Sequence, residues 1–126
     1  MNDGRPFHDL HVLVLEDEPL ISMLTEDMVL DLGGSVIGPF ARLATAREAL
    51  ASSRDRINLA LLDVNLDGER SIGFARELTD MGVPVVFCTG YDENGIEEEW
   101  RSTPRLRKPF SEPDLVRTVN ALLGRG

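Results

Sequence analysis

A regular alternation between short apolar runs and helix-like segments is the feature of this sequence that most limits its fold. Three runs are apolar almost throughout and lack the polar face of an amphipathic helix, so they are predicted to be strands buried on both sides. They are HVLVL (His11–Leu15), LALLDV (Leu59–Val64) and VPVVFC (Val83–Cys88). Two weaker runs are predicted as further strands: SVIGPF (Ser35–Phe40) and, at an edge of the sheet, RLRK (Arg105–Lys108).

Helical patterns separate these strands. In the first helical segment Pro19 suits the first turn, and Gly33-Gly34 is typical of a helix stop. Apolar residues recur there at steps of three and four, which predicts that one face of the helix is buried. The predicted buried face consists of Ile21, Leu24, Met28 and Leu32.

The other helical segments also have recognisable ends. A second helix is predicted to open with a capping box formed by Thr45 and Glu48, a third to run from about Ser71 to Asp80, and a last one to begin at Ser111. The predicted buried residues are Ala49 and Leu50 in the second helix, and Leu115, Val119 and Leu122 in the last. Because each crossover between parallel strands needs a covering segment of helical length, the order predicts an α/β domain with helices on both faces of a parallel sheet.

The connection before the last predicted strand is unusually acidic. The stretch YDENGIEEEWRSTP contains five acidic residues, and Ile96 and Trp100 are its apolar anchors. Because these two residues are four positions apart, both can lie on one side of a helical turn and pack against the rest of the domain. A short, weakly anchored fourth helix that moves easily is predicted.

Composition limits the functions open to the chain. Its 126 residues suffice for one domain with a single core. With 22 acidic and 13 basic residues the formal charge is −9, so direct binding to nucleic acid or to an anionic membrane is not expected. The chain has no apolar stretch near the roughly 20 residues of a membrane span and no secretory signal pattern. The single cysteine, Cys88, is predicted to be a buried small hydrophobe, and a reducing cytoplasm is the expected compartment.

Charged and polar side chains follow four of the predicted strands where each strand ends. They are Glu16, Asp17 and Glu18 after the first strand, Asp63 and Asn65 after the third, Thr89 after the fourth and Lys108 after the fifth. In open parallel sheets, ligands bind at the carboxyl ends of the strands. The carboxylates of Glu16, Asp17 and Asp63 would repel one another at that rim. A hard divalent cation bound among them removes this repulsion, and Mg²⁺ suits these ligands best.

Lys108 adds a positive charge, which would be unfavourable beside a metal cation unless an anion also binds in the site. A phosphoryl group is an anion that fits this requirement. Asp63 can then act as the nucleophile, while Mg²⁺ and Lys108 neutralise the phosphoryl oxygens and the Thr89 hydroxyl donates to one of them. Each residue also has a simpler interpretation alone, such as a helix cap for Asp17 or Glu18 or a turn for Thr89. The occurrence of all of them on one rim favours the site.

A calcium-binding loop is the competing interpretation of the acidic stretch. Asp63, Asn65, Asp67 and Gly68 have the spacing that opens such a loop. The loop needs a bidentate carboxylate at its twelfth position, which here is Phe74, and it should be entered from a helix instead of from a buried strand. We therefore reject the calcium loop.

Taken in order, four motifs make the chain resemble a response-regulator receiver domain of two-component signalling: Glu16-Asp17, Asp63-x-Asn65, Thr89-Gly90 and Lys108-Pro109. The resemblance covers residues 11–124, after a tail at residues 1–10. It implies a flavodoxin-like (βα)5 fold, a doubly wound parallel sheet of five strands in the order 2-1-3-4-5. It also implies that Asp63 accepts a phosphoryl group from a phosphohistidine on a sensor histidine kinase or a histidine phosphotransfer protein.

The resemblance assigns a role to each residue of the site. Asp17 and Asp63 would ligate Mg²⁺ together with the Asn65 backbone carbonyl, Glu16 would act through a water, Thr89 and Lys108 would contact the phosphoryl group, and the Lys108–Pro109 bond would be cis.

Two positions depart from the family pattern. Glu16 stands where Asp is commoner, and Arg105 stands three residues before the lysine, where the family usually has a Tyr or Phe that rotates as a switch. The stretch VVFCTGYD resembles a single-domain subgroup of receivers that has a Phe-x-Thr-Gly-Tyr-like motif and lacks this aromatic. Readout of phosphorylation is therefore predicted through Thr89, Tyr91 and reordering of the segment Asp92–Trp100, with Arg105 as a further switch candidate.

Other functions fit the sequence less well. The alternative from a different class is a pseudo-receiver that takes no phosphoryl group and serves as a protein-docking module, and the intact charged set argues against it. A haloacid-dehalogenase-like phosphatase would need a second Asp where this chain has Asn65, and a flavodoxin-like FMN binder would need a hydroxyl- and glycine-rich phosphate loop after the first strand. His8 and His11 are interpreted as scattered polar residues.

The expected mode of action is contact with other proteins. We expect no output domain after Gly126 and therefore expect signalling to an unknown downstream protein and no turnover of small substrates.

Overall fold

Five parallel strands form the main sheet in a computed structural model of the protein, which describes residues 4–66, 68–90, 100 and 102–125. The strands are β1 (His11–Leu15), β2 (Ser35–Phe40), β3 (Leu59–Asp63), β6 (Val85–Thr89) and β7 (Arg105–Arg107), in the order β2-β1-β3-β6-β7. Between β3 and β6, β4 (Asn65–Leu66) and β5 (Glu69–Arg70) form a small antiparallel hairpin. Numbered within the main sheet, the order is 2-1-3-4-5, so the predicted flavodoxin-like α/β fold is confirmed.

All five predicted strands are present, with shifts at their ends. β3 ends one residue before its predicted end, and β6 begins two residues after its predicted start. Pro84 accounts for the late start because proline has no N–H to donate, although its carbonyl accepts from the Ala60 N–H at 2.9 Å. β6 also ends one residue after its predicted end, with Thr89 as its last residue.

Four helices are described: α1 (Pro19–Asp31), α2 (Leu43–Ser53), α3 (Ile72–Asp80) and α4 (Glu112–Leu123). α4 opens with a capping box, in which the Ser111 hydroxyl accepts from the Asp114 N–H at 3.2 Å and the Asp114 carboxylate accepts from the Ser111 N–H at 3.3 Å. It ends at Gly124, whose φ of 71° is in the left-handed region. The predicted start of the last helix is confirmed.

The predicted start of α2 was wrong. Thr45 lies inside the helix instead of at its N-cap, and its hydroxyl donates to the Arg42 carbonyl at 3.0 Å. The buried residues of α2 are Ala46 and Leu50, one turn apart. The capping-box spacing therefore placed the helix start too late, because the same residue pair also fits the first turn of a helix that begins earlier.

The buried face of α1 agrees only in part with the predicted one, since Leu32 is buried and Met28 packs against the core as predicted. Thr25 and Val29 are buried, whereas Leu24, which was predicted to face the core, is 39% exposed. Apolar residues surround this helix on most sides, so their spacing alone does not determine which side is buried. α1 thus leaves an exposed apolar area, here called the α1 surface, formed by Leu20, Met23, Leu24 and Leu30.

The core lies on both faces of the sheet. Alternate residues of the central strands face α2 and α3 on one side and α1 and α4 on the other. Phe7 and Leu10 are buried in the second of these clusters, and the Phe7 N–H donates to the Leu32 carbonyl at 2.8 Å. The core therefore extends into the segment that the sequence analysis assigned to a tail.

Cys88 is 5% exposed, which confirms the prediction that this cysteine is buried. No helix in the described part of the chain combines the length and the apolarity that crossing a membrane requires. The predicted fourth helix lies outside the described residues apart from Trp100, and so does the switch candidate Tyr91.

Candidate functional site

Three carboxylates meet at the carboxyl ends of β1 and β3. These strands are neighbours in which Leu15 pairs with Leu62, so Glu16 and Asp63 occupy adjacent positions. One carboxylate oxygen from each of Glu16, Asp17 and Asp63 lies within 4.8 Å of the other two. Glu16 and Asp63 are 4% and 2% exposed, and Asp17 is half-buried. The structure therefore brings together the three acids that the sequence predicts at this rim.

The Lys108 ammonium contacts two of these carboxylates. Its Nζ donates to Glu16 Oε1 at 3.0 Å and to Asp63 Oδ2 at 3.2 Å. The Lys108 N–H donates to the Thr89 carbonyl at 2.7 Å, and the peptide bond to Pro109 is cis. Burial by itself would lower the pKa of the ammonium, but the hydrogen bonds and charges of Glu16 and Asp63 outweigh burial and raise the pKa of Lys108 above its usual range.

Both carboxylate oxygens of Glu16 accept hydrogen bonds. Oε1 accepts from Lys108, and Oε2 accepts from the Glu18 N–H at 3.1 Å. The Glu16 N–H donates to the Phe40 carbonyl of β2 at 2.8 Å, which holds the backbone at this point. For Glu16 only a water-mediated metal contact was predicted. Its ion pair with Lys108 was not, because the two residues are 92 positions apart and no local pattern connects them.

The residues of the cluster do not balance its charge. Glu16 and Asp63 share one ammonium, and Asp17 adds a third carboxylate, so repulsion between like charges persists when all three are ionised. The candidate ligand atoms between these three residues are carboxylate oxygens, the ligand type that Mg²⁺ prefers. Within the described ranges these three acids are also the one group whose geometry suits a metal ion. The residues present therefore fit Mg²⁺.

The backbone after Asp63 is held from two directions. The Asn65 N–H donates to Asp63 Oδ1 at 3.4 Å, while Asn65 itself is exposed. The Ser71 hydroxyl donates to the Asp63 carbonyl at 2.6 Å, and the Ser71 N–H donates to the Val64 carbonyl at 2.9 Å. Ser71 was not among the predicted site residues. The only signal was its position at the start of the third predicted helix, which by itself indicates a cap.

Thr89 ends β6 beside the cluster. β3 and β6 are neighbours in which Asp63 pairs with Cys88, so Thr89 lies one residue beyond the level of Asp63. The side chain is buried, and its hydroxyl donates to the Leu106 carbonyl at 3.5 Å. A hydrogen bond of this length is weak. The hydroxyl is therefore free to exchange its present acceptor for a stronger one.

Arg105 occupies the position of the missing aromatic and contacts the segment before β7. It is exposed on β7, and its Nη2 donates to the Trp100 carbonyl at 3.1 Å. The Trp100 ring is buried and packs edge-to-face on Phe87, with 5.7 Å between the ring centroids. The Arg76 guanidinium lies 6.0 Å from the centre of the Trp100 ring. Trp100 thus supplies an aromatic contact to β6, and Arg105 holds its backbone.

The two histidines lie apart from this cluster. His11 begins β1, at the end of the strand opposite to Glu16, and its Nδ1 lies 2.6 Å from the Ser35 hydroxyl. His8 is exposed, and its Nδ1 lies 3.0 Å from the Arg5 carbonyl. Their interpretation as scattered polar residues stays a prediction.

Known proteins resemble this chain over most of its length. The chain is 36% identical over 116 residues to the phyllosphere-induced regulator PhyR of Methylorubrum extorquens, in an alignment that covers 89% of this chain and 43% of PhyR. The chain spans about half the length of the curated relatives it matches. No model of a protein family matches the sequence.

Two solved structures are similar over nearly their whole length. SdrG from Sphingomonas melonis Fr1 is 36% identical with a TM-score of 0.80, and the alignment covers 92% of this chain and 98% of SdrG. The PhyR response regulator REC domain from Erythrobacter litoralis is 35% identical with a TM-score of 0.78, and the alignment covers 92% of this chain and 91% of that domain. The likeness therefore concerns the complete fold.

Proposed function

Since the chain belongs to the receiver domains of response regulators, we propose that it takes a phosphoryl group onto Asp63 from a phosphohistidine, with Mg²⁺ bound beside it. The donor would be a sensor histidine kinase or a histidine phosphotransfer protein in the cytoplasm. The observation that carries the proposal is the position of the Lys108 ammonium, 3.0 Å from Glu16 Oε1 and 3.2 Å from Asp63 Oδ2 in one buried cluster. Such an arrangement offers an anion a positive partner next to a metal-ligating set.

The proposed metal ligands are those that the resemblance to receiver domains implies, and the cluster of three acids supports them. Asp17, Asp63 and the Asn65 carbonyl would hold Mg²⁺ directly, and Glu16 would act through a water. When bound, the cation supplies positive charge to the phosphoryl oxygens during transfer. Asp17 is the most accessible of the three acids, so it offers the entry side for the ion.

Asp63 acts as the nucleophile in this proposal. A carboxylate oxygen forms a bond to phosphorus while the bond between phosphorus and the donor histidine nitrogen breaks, and the electron pair of that bond stays on the imidazole. Lys108, already hydrogen-bonded to Asp63, pairs with one phosphoryl oxygen. The Thr89 hydroxyl exchanges its 3.5 Å bond to the Leu106 carbonyl for a bond to another phosphoryl oxygen.

We also propose that Thr89 passes the phosphorylation state to β7. Its present acceptor belongs to β7, the strand that carries Arg105. Arg105 in turn holds the Trp100 carbonyl, so movement of β7 alters the support of Trp100. The proposed readout involves Thr89, Tyr91, Arg105 and the segment Asp92–Trp100, of which residues 91–99 lie outside the described ranges.

The α1 surface is the proposed contact for the phosphodonor protein. α1 begins two residues after Asp17, so its first turn lies beside the rim that a donor histidine has to reach. Leu20, Met23 and Leu30 are 62%, 53% and 48% exposed on this helix. Complete burial of a fully exposed side chain of this kind is worth about 1.5–3 kcal/mol, so each of these half-buried side chains gains a fraction of that when a partner covers it. Signal output would likewise proceed through protein contacts.

Incubation with Mg²⁺ and acetyl phosphate, followed by measurement of the intact mass, tests the proposed function. The wild-type protein should gain one phosphoryl group, and Asp63→Asn should gain none because the nucleophile is absent. Asp55→Asn removes an exposed acid from the segment before β3, at the opposite end of that strand, and serves as the matched control that should behave as wild type.

A wild-type protein that neither becomes phosphorylated nor binds beryllofluoride in the presence of Mg²⁺ would overturn the proposal. It would leave the unphosphorylated docking module, which the complete set of Glu16, Asp17, Asp63 and Lys108 does not favour.

A further inference from the structure

Ser71 is fully buried at the point where the loop after Asp63 returns to the core. This loop carries Asn65 near its start and folds back through the β4–β5 hairpin, in which Asn65 pairs with Arg70. Ser71 follows the hairpin directly and occupies the N-cap position of α3. The residue thus closes the loop that holds two of the proposed metal-ligating groups, the Asp63 carboxylate and the Asn65 carbonyl.

Three hydrogen bonds join Ser71 to the two residues at the start of this loop. Its hydroxyl lies 2.6 Å from the Asp63 carbonyl oxygen and 3.4 Å from the Val64 carbonyl oxygen, and its N–H donates to the Val64 carbonyl at 2.9 Å. The Val64 carbonyl shares a peptide plane with the Asn65 N–H, which donates to Asp63 Oδ1 at 3.4 Å. Ser71 therefore orients a peptide plane whose other end contacts the Asp63 carboxylate.

The Ser71 hydroxyl is not used to cap the helix. A serine at the N-cap ordinarily accepts a hydrogen bond from a backbone N–H in the first turn. Ser111 does this at the start of α4, whereas Ser71 makes no side-chain cap bond at the start of α3. The two serines therefore occupy the same helix position, but their hydroxyls bind different groups. In Ser71 the hydroxyl is directed to the backbone of the phosphoryl-acceptor residue, which indicates a role in the site.

We propose that Ser71 is a positioning residue that orients the Asp63 carboxylate and the Asn65 carbonyl for Mg²⁺ binding. This inference rests on the proposed function, because it assigns Ser71 a part in the same site. Without the hydroxyl, the loop samples other orientations and its ligands have to be ordered when the ion binds. Removal of groups that orient metal ligands typically weakens metal binding by about 10- to 100-fold.

Ser71→Ala tests the inference in the 126-residue chain, with Ile57→Val as the matched control. Ile57 is buried just before β3, at the end of the strand opposite to Asp63, so its truncation lowers core packing without touching the loop. Mg²⁺ affinity is measured by calorimetry, the phosphorylation rate with acetyl phosphate at saturating Mg²⁺, and stability by urea unfolding. We expect Ser71→Ala to bind Mg²⁺ about 10-fold more weakly than wild type and Ile57→Val to keep wild-type affinity.

The outcomes distinguish this inference from the proposed function. If wild type binds Mg²⁺ and is phosphorylated while Ser71→Ala equals it in Mg²⁺ affinity, the role of Ser71 is overturned and the proposed function stands. If Ile57→Val loses as much affinity as Ser71→Ala, the effect is general destabilisation and the role is overturned as well. If wild type neither binds Mg²⁺ nor is phosphorylated, the proposed function itself fails. Ser71→Cys keeps a similar volume with a weaker donor and replaces Ser71→Ala in the comparison if the alanine variant does not fold.

Discussion

At the residue scale, the charge of Lys108 holds two buried carboxylates together. The lysine side chain is 8% exposed, and those of Glu16 and Asp63 are 4% and 2% exposed, so water solvates none of the three well. Two negative groups at such a place depend on a nearby positive charge, and Lys108 supplies one to both of them. Removing one partner of a buried ion pair leaves an uncompensated charge, which destabilises a protein by about 3–5 kcal/mol.

Lys108→Met is expected to lower the free energy of unfolding by about 3 kcal/mol at neutral pH, because Glu16 and Asp63 then lose their counter-ion. Arg54→Met, at an exposed position after α2, is the control and should change stability by no more than about 0.5 kcal/mol. Urea unfolding of both variants and of wild type, without added divalent ions, measures these differences. Equal stability of the two variants would contradict the role assigned to the lysine charge.

The stabilisation by Lys108 has a defined dependence on pH. Folding raises the pKa of Lys108 above its ordinary value of 10.5, so the folded state favours the protonated lysine. The contribution of its ion pairs is therefore fully present below the ordinary pKa and is lost as the pH rises through the raised one. The stability difference between wild type and Lys108→Met should stay constant from about pH 7 to about pH 10 and shrink above. A difference that already shrinks near pH 8 would argue against this sign.

At the scale of the element, α1 has one face that packs in the core and another apolar face that is exposed. Thr25 and Val29 pack toward the sheet, and the α1 surface extends along other sides of the same helix. A single helix thus contributes to the core and offers an apolar area that begins beside the rim at Leu20. Exposed apolar residues that cluster on one element, unlike single scattered ones, indicate an interaction site.

Met23→Lys is expected to slow phosphotransfer from a phosphohistidine protein about 10-fold, because a charge replaces apolar contact area in the complex. Phosphorylation by acetyl phosphate should remain at the wild-type rate, since a small donor does not need the α1 surface. Ala51→Lys introduces the same charge at an exposed position of α2 and is the control. If Met23→Lys slows both reactions equally, or neither, the α1 surface is not the docking site.

At the scale of the whole molecule, the parallel sheet gathers distant parts of the chain at one rim. β1, β3, β6 and β7 all end there, so residues 16, 63, 89 and 108 become neighbours although they are spread over most of the sequence. The cluster carries excess negative charge within a chain whose formal charge is −9. A cation that binds the folded rim and not the unfolded chain therefore stabilises the whole domain by mass action.

Mg²⁺ at about 100 times its dissociation constant is expected to raise the free energy of unfolding by about 2.7 kcal/mol. Asp17→Asn should lose most of this gain because one ligand charge is missing, whereas Asp55→Asn should retain it. Thermal or urea unfolding at constant ionic strength, with and without Mg²⁺, measures the effect. The same gain in Asp17→Asn as in wild type would show that Mg²⁺ acts elsewhere.

The sequence by itself determined the alternation of strands and helices and the composition of the rim. Continuous apolar runs such as HVLVL and LALLD mark buried strands because burial on both faces excludes polar residues locally. The convergence of Asp17, Asp63 and Lys108 then followed from a general property of parallel sheets, whose strands end on the same side. The strand order 2-1-3-4-5 came from the resemblance to a family and not from the residue pattern.

Only the tertiary structure decided which atoms meet within that frame. The ion pair between Glu16 and Lys108, the hydrogen bond from the Ser71 hydroxyl to the Asp63 carbonyl, and the burial of Thr25 in place of Leu24 depend on strand register and on how the helices pack against the sheet. A local pattern records how often apolar residues recur along the chain. Contact energies depend on distance in space, so residues far apart in sequence acquire their partners only when the whole fold has brought them together.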